Sequence, residues 1–424
     1  MRCSSATTYR SSGEGRLRLL DITEFYSPLG GGVKTYLTAK AEWLAKQPDV
    51  SHTIVLPGPR DEETTLAGSR VLHLGGPRVP ASPGYHFLTA GRRVREIFAE
   101  VQPDIVEIGS PFLAAIWARR AARALPHPPA LVGFYHCDAR RVYVDYGLRS
   151  LPGVLRNAAG RALERYLRGL YGSFAATIAA TPSAQRALEG LGVKNLHLIP
   201  LGVDLDTFSP ARRDPAWRGV VGARDGQPVA VYAGRFSTEK GLGVVLAGLP
   251  ELHRATGVKL VMIGEGHLRA SFEAFQRAHP EMLAVLPYER DRAGLARALA
   301  SADLYVAPFP METFGLAAVE AMACGLPVVG VEAGAIADLL AGAAWGRVYR
   351  PGEPGDFVRA ARDLLTEDAR GAGAQARAHV VARYAWSGTF GALLEVYRGP
   401  VRGKSSRTPT SPTASNADWL TPAE

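Results

Sequence analysis

Two carboxylates eight positions apart carry the sharpest chemistry in the chain. They are Glu312 and Glu320, in Pro308-Phe309-Pro310-Met311-Glu312-Thr313-Phe314-Gly315-Leu316-Ala317-Ala318-Val319-Glu320-Ala321-Met322-Ala323-Cys324-Gly325. Phe314 to Cys324 reads as a helix that Gly325 stops. Glu312 lies at its start and Glu320 two turns in, about 12 Å along the axis at 1.5 Å per residue. Val319, Ala321 and Met322 flank Glu320, and a carboxylate in such surroundings needs a partner. A polyhydroxylated ligand lying along the helix would serve both acids, and the helix N-terminus between them would favour a phosphate. Two structural surface carboxylates are the plain alternative.

Three other segments bring complementary groups. In Gly234-Arg235-Phe236-Ser237-Thr238-Glu239-Lys240-Gly241, two cations span one loop. Arg235 by bidentate hydrogen bonds and Lys240 as a point charge can grip a diphosphate; a solvated loop with a Glu239–Lys240 pair is the alternative. His136, in Tyr135-His136-Cys137-Asp138, can hydrogen-bond a reacting sugar hydroxyl or serve as a satisfied structural histidine. Gly30-Gly31-Gly32-Val33 lets a phosphate or sugar approach the backbone, or forms a simple glycine-rich turn.

The elements that must hold these groups alternate between apolar strands and helices. Strands are expected at Arg16–Thr23, Thr53–Leu56, Val71–Leu74, Ile105–Ile108, Leu131–Tyr135, Ala176–Ala180 and Leu196–Ile199. A second series is expected at Val229–Ala233, Lys259–Ile263, Leu283–Leu286, Leu304–Ala307 and Val328–Val331. This is the pattern of parallel doubly wound sheets, whose ligands bind at the carboxyl ends of strands, and all four segments fall at such ends. The rhythm breaks at Ile199 to Pro210, and the polar stretch to Gly226 reads as a linker. Within it, Asp204-Leu205-Asp206 reads as a turn. Trp386 to Tyr397 reads as an aromatic final helix. Residues 399–424, rich in Ser, Thr and Pro, read as a disordered tail.

Length and composition bound the function. With 424 residues and 47% hydrophobic content, the chain suits two or three soluble domains. There is no apolar run of about 18 residues. Residues 1–15 are polar and read as a disordered N-terminus, not a secretory signal. Cys3, Cys137 and Cys324 are too scattered for a metal site or a disulfide framework, which makes a reducing cytoplasm the default. Residues 1–200 carry 25 Lys and Arg against 16 Asp and Glu; the rest carry 24 of each. The excess sits on stretches such as Arg156, Arg161, Arg165 and Arg168, interleaved with Leu155, Leu163, Tyr166 and Leu167. These read either as solvated surface helices or as basic amphipathic ones suited to an anionic membrane. No nucleic-acid motif accompanies the charge.

Taken together, these motifs resemble the retaining glycosyltransferases of family 4 (glycosyl transferases group 1), which have the GT-B fold. The resemblance covers residues 16–398 and rests on Glu312-x7-Glu320, Gly234-Arg235 with Lys240, Gly202-Val203-Asp204 before Phe208-Ser209-Pro210, and Gly31-Gly32-Val33. It implies an α/β architecture of two Rossmann-like doubly wound domains facing across a cleft. Residues 16–203 would form the acceptor domain and 204–385 the nucleotide-sugar domain, with 386–398 crossing back to the first. It implies that Arg235 and Lys240 hold the donor diphosphate, that Glu312 contacts the donor sugar and that Glu320 takes the ribose hydroxyls. Backbone amides at Phe314, Gly315 and Leu316 would face the phosphates and sugar. His136 would touch the transferred sugar, Gly31 and Gly32 would line the opposite wall, and Gly234, Gly264 and Tyr288 would complete the nucleotide site. The run from Tyr135 to Asp138 with Tyr143 and Tyr146 looks most like members that use GDP-mannose or a UDP-hexose on lipid or glycan acceptors. The implied reaction is retaining hexosyl transfer from a nucleoside-diphosphate sugar, with no cofactor and no metal. The implied location is cytoplasmic, or peripheral on the inner face of the cell membrane. The alternatives are a nucleotide-sugar epimerase of the same fold and a non-catalytic sugar-binding protein. A dinucleotide-dependent oxidoreductase would want Gly-x-Gly-x-x-Gly after the first strand, which Gly30-Gly31-Gly32 does not match.

Overall fold

Mostly apolar runs, each long enough for one strand, build one mixed and one parallel sheet in the computed structural model, which describes residues 16–80, 82, 84–367 and 369–402. The first sheet contains β1 (Leu17–Ile22), β2 (Val50–Gly58), β3 (Glu62–Leu66), β4 (Ser69–Gly75), β5 (Ile105–Ile108), β6 (Ala130–Phe134), β7 (Ala176–Ala179) and β8 (Leu196–Leu198). Their spatial order is β3-β4-β2-β1-β5-β6-β7-β8, parallel throughout except for β3 against β4. The second contains β9 (Val229–Ala233), β10 (Lys259–Ile263), β11 (Leu283–Leu286), β12 (Leu304–Ala307), β13 (Val328–Val331) and β14 (Gly346–Tyr349), in the order β11-β10-β9-β12-β13-β14, all parallel. Helices cover both faces, which is why β12 and β13 are buried at every position.

Each sheet reverses its strand order once. The reversal in the first lies between β1 and β5, and in the second between β9 and β12. Crevices at such switch points are where ligands bind in open α/β sheets. Gly30–Gly32 follows β1, Gly234–Lys240 follows β9 and Glu312 follows β12, so both crevices carry the residues singled out from sequence.

The chain crosses between the two sheets twice at adjacent points. Val203 donates its N–H to the Tyr384 carbonyl over 2.7 Å and pairs in parallel with Ala385. From there the final helix, Trp386–Arg402, lies against the first sheet's helices, burying Phe390, Leu393, Leu394 and Tyr397. It continues to Arg402, so residues 399–402, read from sequence as the start of the tail, are helical. The expectations for residues 1–15 and 403–424 fall outside the described residues.

The stretch before Gly226 is likewise more ordered than a linker. Ser209 caps a short turn at Pro210–Arg212, Asp214 caps the helix Pro215–Val220, and Trp217 is buried. Arg218 pins this segment to Asp303 at 3.0 Å, just before β12. Asp204 Oδ1 accepts the N–H groups of Asp206 and Thr207 at 3.1 and 3.0 Å, which makes the Asp204-Leu205-Asp206 triplet a turn.

Candidate active site

The loop after β9 turns Lys240 toward the loop after β12. Lys240 Nζ lies 3.9 Å from Glu312 Oε2 and 3.5 Å from the centroid of the Phe309 ring. Gly241 makes this approach possible. Its φ is +73°, and a Cβ there would stand 2.4 Å from the Pro308 carbonyl oxygen. Burial lowers the Lys240 pKa, against the pull of Glu312. Glu239 makes its ion pair with Arg235, at 3.5 Å. Arg235 keeps most of its side chain open to solvent at 70% exposure. It faces the other domain closely enough to oppose the burial that raises the Tyr85 phenol. Gly234 and Gly264 pack directly against each other beneath this loop.

The helix expected from Phe314 begins at Leu316, because Gly315 takes φ +88° as its N-cap. No side chain caps it. The N–H groups of Gly315, Leu316 and Ala317 meet no acceptor among the described residues. Three free amides and the helix dipole make a ready seat for a phosphate or sugar oxygen. Phe314 is buried edge-on against Tyr384 and fixes the loop from behind.

Glu320 is buried in this helix at 4% side-chain exposure, and it has a partner within the chain. Arg292 donates to its Oε1 at 2.5 Å while the guanidinium lies over the Phe208 ring, 4.6 Å from its centroid. Burial raises the Glu320 pKa and Arg292 holds it back. Sequence reasoning assigned the partner to a ligand and did not find Arg292. The signal was the demand of a buried carboxylate, but nothing local marks which of the chain's arginines meets it.

On the opposite wall, His136 follows β6. Its ring stacks on Phe134 at 4.0 Å and meets the edge of Tyr36 at 5.2 Å. Burial and the nearby Lys40 ammonium push its pKa down to about 3, so it is neutral near pH 7. Glu312 faces this loop: the Cys137 thiol, pushed up to about 12 by burial, is held there in part by the charges of Asp138 and Glu312. A hollow between the domains is lined by Tyr135, Asp138, Arg141 and Ser183 on one side and by Met311, Glu312 and Thr313 on the other. Gly31 caps the helix Gly32–Leu44 and looks toward the Tyr85 hydroxyl. Tyr288 reaches across the cleft to the same loop. A Cβ on Gly30 would stand 2.2 Å from its hydroxyl oxygen, so a larger residue there would displace the exposed Tyr288 ring.

The arrangement combines two cations, an open helix N-terminus and a carboxylate facing a neutral imidazole. Residues 30–207 match the family described as Glycosyltransferase Family 4, and residues 227–367 match Glycosyl transferases group 1. A GDP-mannose-dependent alpha-(1-6)-phosphatidylinositol dimannoside mannosyltransferase of Mycobacterium tuberculosis is 30% identical over 327 residues, 76% of this chain and 82% of that relative. The chain belongs to glycosyltransferase family 4. A GDP-mannose-dependent alpha-mannosyltransferase of Mycolicibacterium smegmatis is also 30% identical, over 72% of this chain and 76% of the relative. Among solved structures, sucrose-phosphate synthase from Thermosynechococcus elongatus superposes with a TM-score of 0.75 at 18% identity, covering 92% of this chain and all of that one. The glycosyltransferase thus has the GT-B fold, two Rossmann-like domains across a cleft, and uses a nucleotide sugar. Among the described residues, no cluster of His, Cys, Asp and Glu is arranged to hold a metal ion, and no helix is long and apolar enough to cross a membrane.

Proposed function

We propose that the enzyme transfers mannose from GDP-mannose, with retained anomeric configuration, to a hydroxyl of a lipid-linked or glycan acceptor. The observation that carries the reading is the convergence of Lys240, Glu312 and the uncapped Leu316 helix at one switch point, opposite neutral His136. Arg235, Lys240 and the free amides take the charge that grows on the departing diphosphate, without a divalent cation. Glu312 and His136 hold the hexose, and Glu320 takes the ribose hydroxyls as Arg292 positions it. No carboxylate stands out as a covalent nucleophile. The reading is a front-face displacement in which the leaving phosphate oxygen accepts the acceptor's proton and the protein supplies position and charge stabilisation. The mannose donor is supported by the printed activities of the relatives at 30% identity.

An acceptor at a membrane fits the first domain's surface. Val154 and Leu155 are exposed at 78% and 57%, next to exposed Leu151 and among Arg149, Arg156 and Arg161. Apolar side chains ringed by arginine suit the interface of an anionic bilayer. Co-sedimentation with anionic vesicles at low salt, lost in Val154→Glu/Leu155→Glu, is the expected result; the same sedimentation in wild type and variant would remove this part of the reading.

The deciding experiment screens GDP-, UDP- and ADP-sugars by thermal shift, then follows the product of the stabilising donor with a lipid-extract acceptor by proton NMR. An α-mannoside made from GDP-α-mannose without added metal supports the proposal. A β-linked product would refute retention. An isomerised donor in the absence of acceptor would favour the epimerase, and binding without turnover would favour a sugar-binding protein.

A further inference from the structure

Next to His136 lies a set of buried ionisable side chains that the reaction above does not use. Lys40 Nζ donates to Asp21 Oδ1 at 2.8 Å and to Tyr397 Oη at 2.9 Å, and lies 3.2 Å from Glu107 Oε2. Tyr36 donates to Glu107 Oε1 at 2.8 Å, and Tyr397 donates to the other oxygen of the same carboxylate. Asp21 Oδ2 also meets His52 Nε2 at 3.1 Å. Lys40, Asp21, Glu107, Tyr36 and Tyr397 are each at most 2% exposed. Buried ion pairs are poor stabilisers compared with apolar side chains of the same volume, so this group calls for a role beyond holding the domain together.

Tyr36 is the member that touches the site wall, from behind, through the ring of His136. Its hydroxyl is fixed by Glu107, and its ring touches four others. Phe134 and His136 belong to the site wall, 5.1 and 5.2 Å away. Trp386 and Phe390 belong to the final helix, 6.3 and 5.9 Å away. The imidazole of His136 is thus confined by the Phe134 face and the Tyr36 edge. Tyr36 is itself held by a carboxylate whose second oxygen is bonded from the final helix through Tyr397.

We infer that Tyr36 is a positioning residue for His136, and that the Glu107–Lys40–Tyr397 knot makes docking of the final helix set the angle at which the imidazole faces the cleft. The kinetic consequence rests on the reading of His136 as a sugar-contacting group; the orientation can be observed without catalysis.

The test uses the full chain with Tyr36→Phe, which keeps the ring and removes its anchor. Tyr397→Phe is the second variant. It removes the final helix's bond but leaves Glu107 with Tyr36 and Lys40, and so keeps the fold. Tyr166→Phe is the control, since it removes a hydroxyl bonded to the Pro111 carbonyl away from the knot. The readouts are kcat, donor KM and the ring-nitrogen resonances of His136 in histidine-labelled protein. Both knot variants are expected to shift those resonances and to lower kcat about 10- to 100-fold, the range for loosening the support of a reacting group, with donor KM nearly unchanged. The control is expected to do neither. Knot variants with wild-type resonances and wild-type kcat, but a lower melting temperature, would show a purely structural knot and overturn the inference. If the wild type transfers no sugar from any nucleotide donor, the functional reading fails, while the resonances still decide the positioning.

Discussion

Thr313 donates a hydrogen bond to the carbonyl oxygen of His136 across 2.9 Å, joining the loop that carries Glu312 to the loop of the opposing imidazole. The Thr313 carbonyl accepts from Thr181 Oγ1 at 3.2 Å. One helix further, Asp338 accepts from the Ser183 amide at 2.6 Å and from Arg186 at 2.7 Å. These bonds clasp the two domains at one end of the cleft and fix how Glu312 and His136 face each other.

Thr313→Val keeps the shape and removes the donor. A net hydrogen bond contributes about 0.5–1.5 kcal/mol, so kcat/KM for the donor should fall by up to about tenfold. The radius of gyration in solution should rise if the lost bond lets the two domains separate. Unchanged scattering and kinetics together would mean that the clasp is incidental.

Arg235→Ala and Lys240→Ala should each lower turnover by about 10²–10³, as loss of one oxyanion donor does. The two should differ with pH. A guanidinium does not lose its proton in the working pH range. Lys240, whose pKa burial lowers, must be protonated to hold a diphosphate. Wild-type kcat/KM should therefore decline on the alkaline side at a pH below the ordinary lysine value of about 10.4. Lys240→Arg should abolish that decline.

The neutral state of His136 has a stability signature. Its folded pKa of about 3 lies below the ordinary value of about 6.5. Between the two, the unfolded chain binds a proton that the folded chain refuses, so acid favours unfolding by up to about 1.4 kcal/mol per pH unit from this group. Urea midpoints of wild type should fall faster than those of His136→Gln as pH drops from 6.5 toward 4. Parallel curves would mean that His136 titrates normally.

Strands were legible where burial on both faces leaves an unbroken apolar run. β9, β10, β11, β12 and β13 lie at the residues expected: four are interior parallel strands, and β11, though at the sheet edge, keeps the apolar run Leu283-Ala284-Val285-Leu286. β3 was not read, since four of its five residues are exposed and Thr64-Thr65 carry no apolar alternation; the turn at Ala67 and Gly68 forms it. β14, at the other sheet edge, carries no such signal, because Arg347 interrupts its four residues. In the site, residue types showed what each loop could hold but not its partner. Lys240 adjoins Glu239 in sequence yet faces Glu312, because Gly241 turns the chain. Such pairings are tertiary, and spacing carries no record of them.

Arg292 is the sharpest case, and it yields a test that separates support from substrate contact. Its removal would leave Glu320, at 4% side-chain exposure, without a cation. The expected loss is about 1–3 kcal/mol, below the figure for a fully buried pair because Arg292 is itself 44% exposed. Burial already raises the Glu320 pKa, and losing Arg292 raises it further. The folded chain then holds a proton that the unfolded one releases, so stability falls as pH rises through the folded pKa. Arg292→Ala should accordingly be more unstable at pH 8 than at pH 5, and Glu320→Gln added to it should restore most of the loss. If Glu320 also takes the donor ribose, that double variant will regain its melting temperature but keep a raised donor KM. Recovery of both would make the carboxylate purely structural.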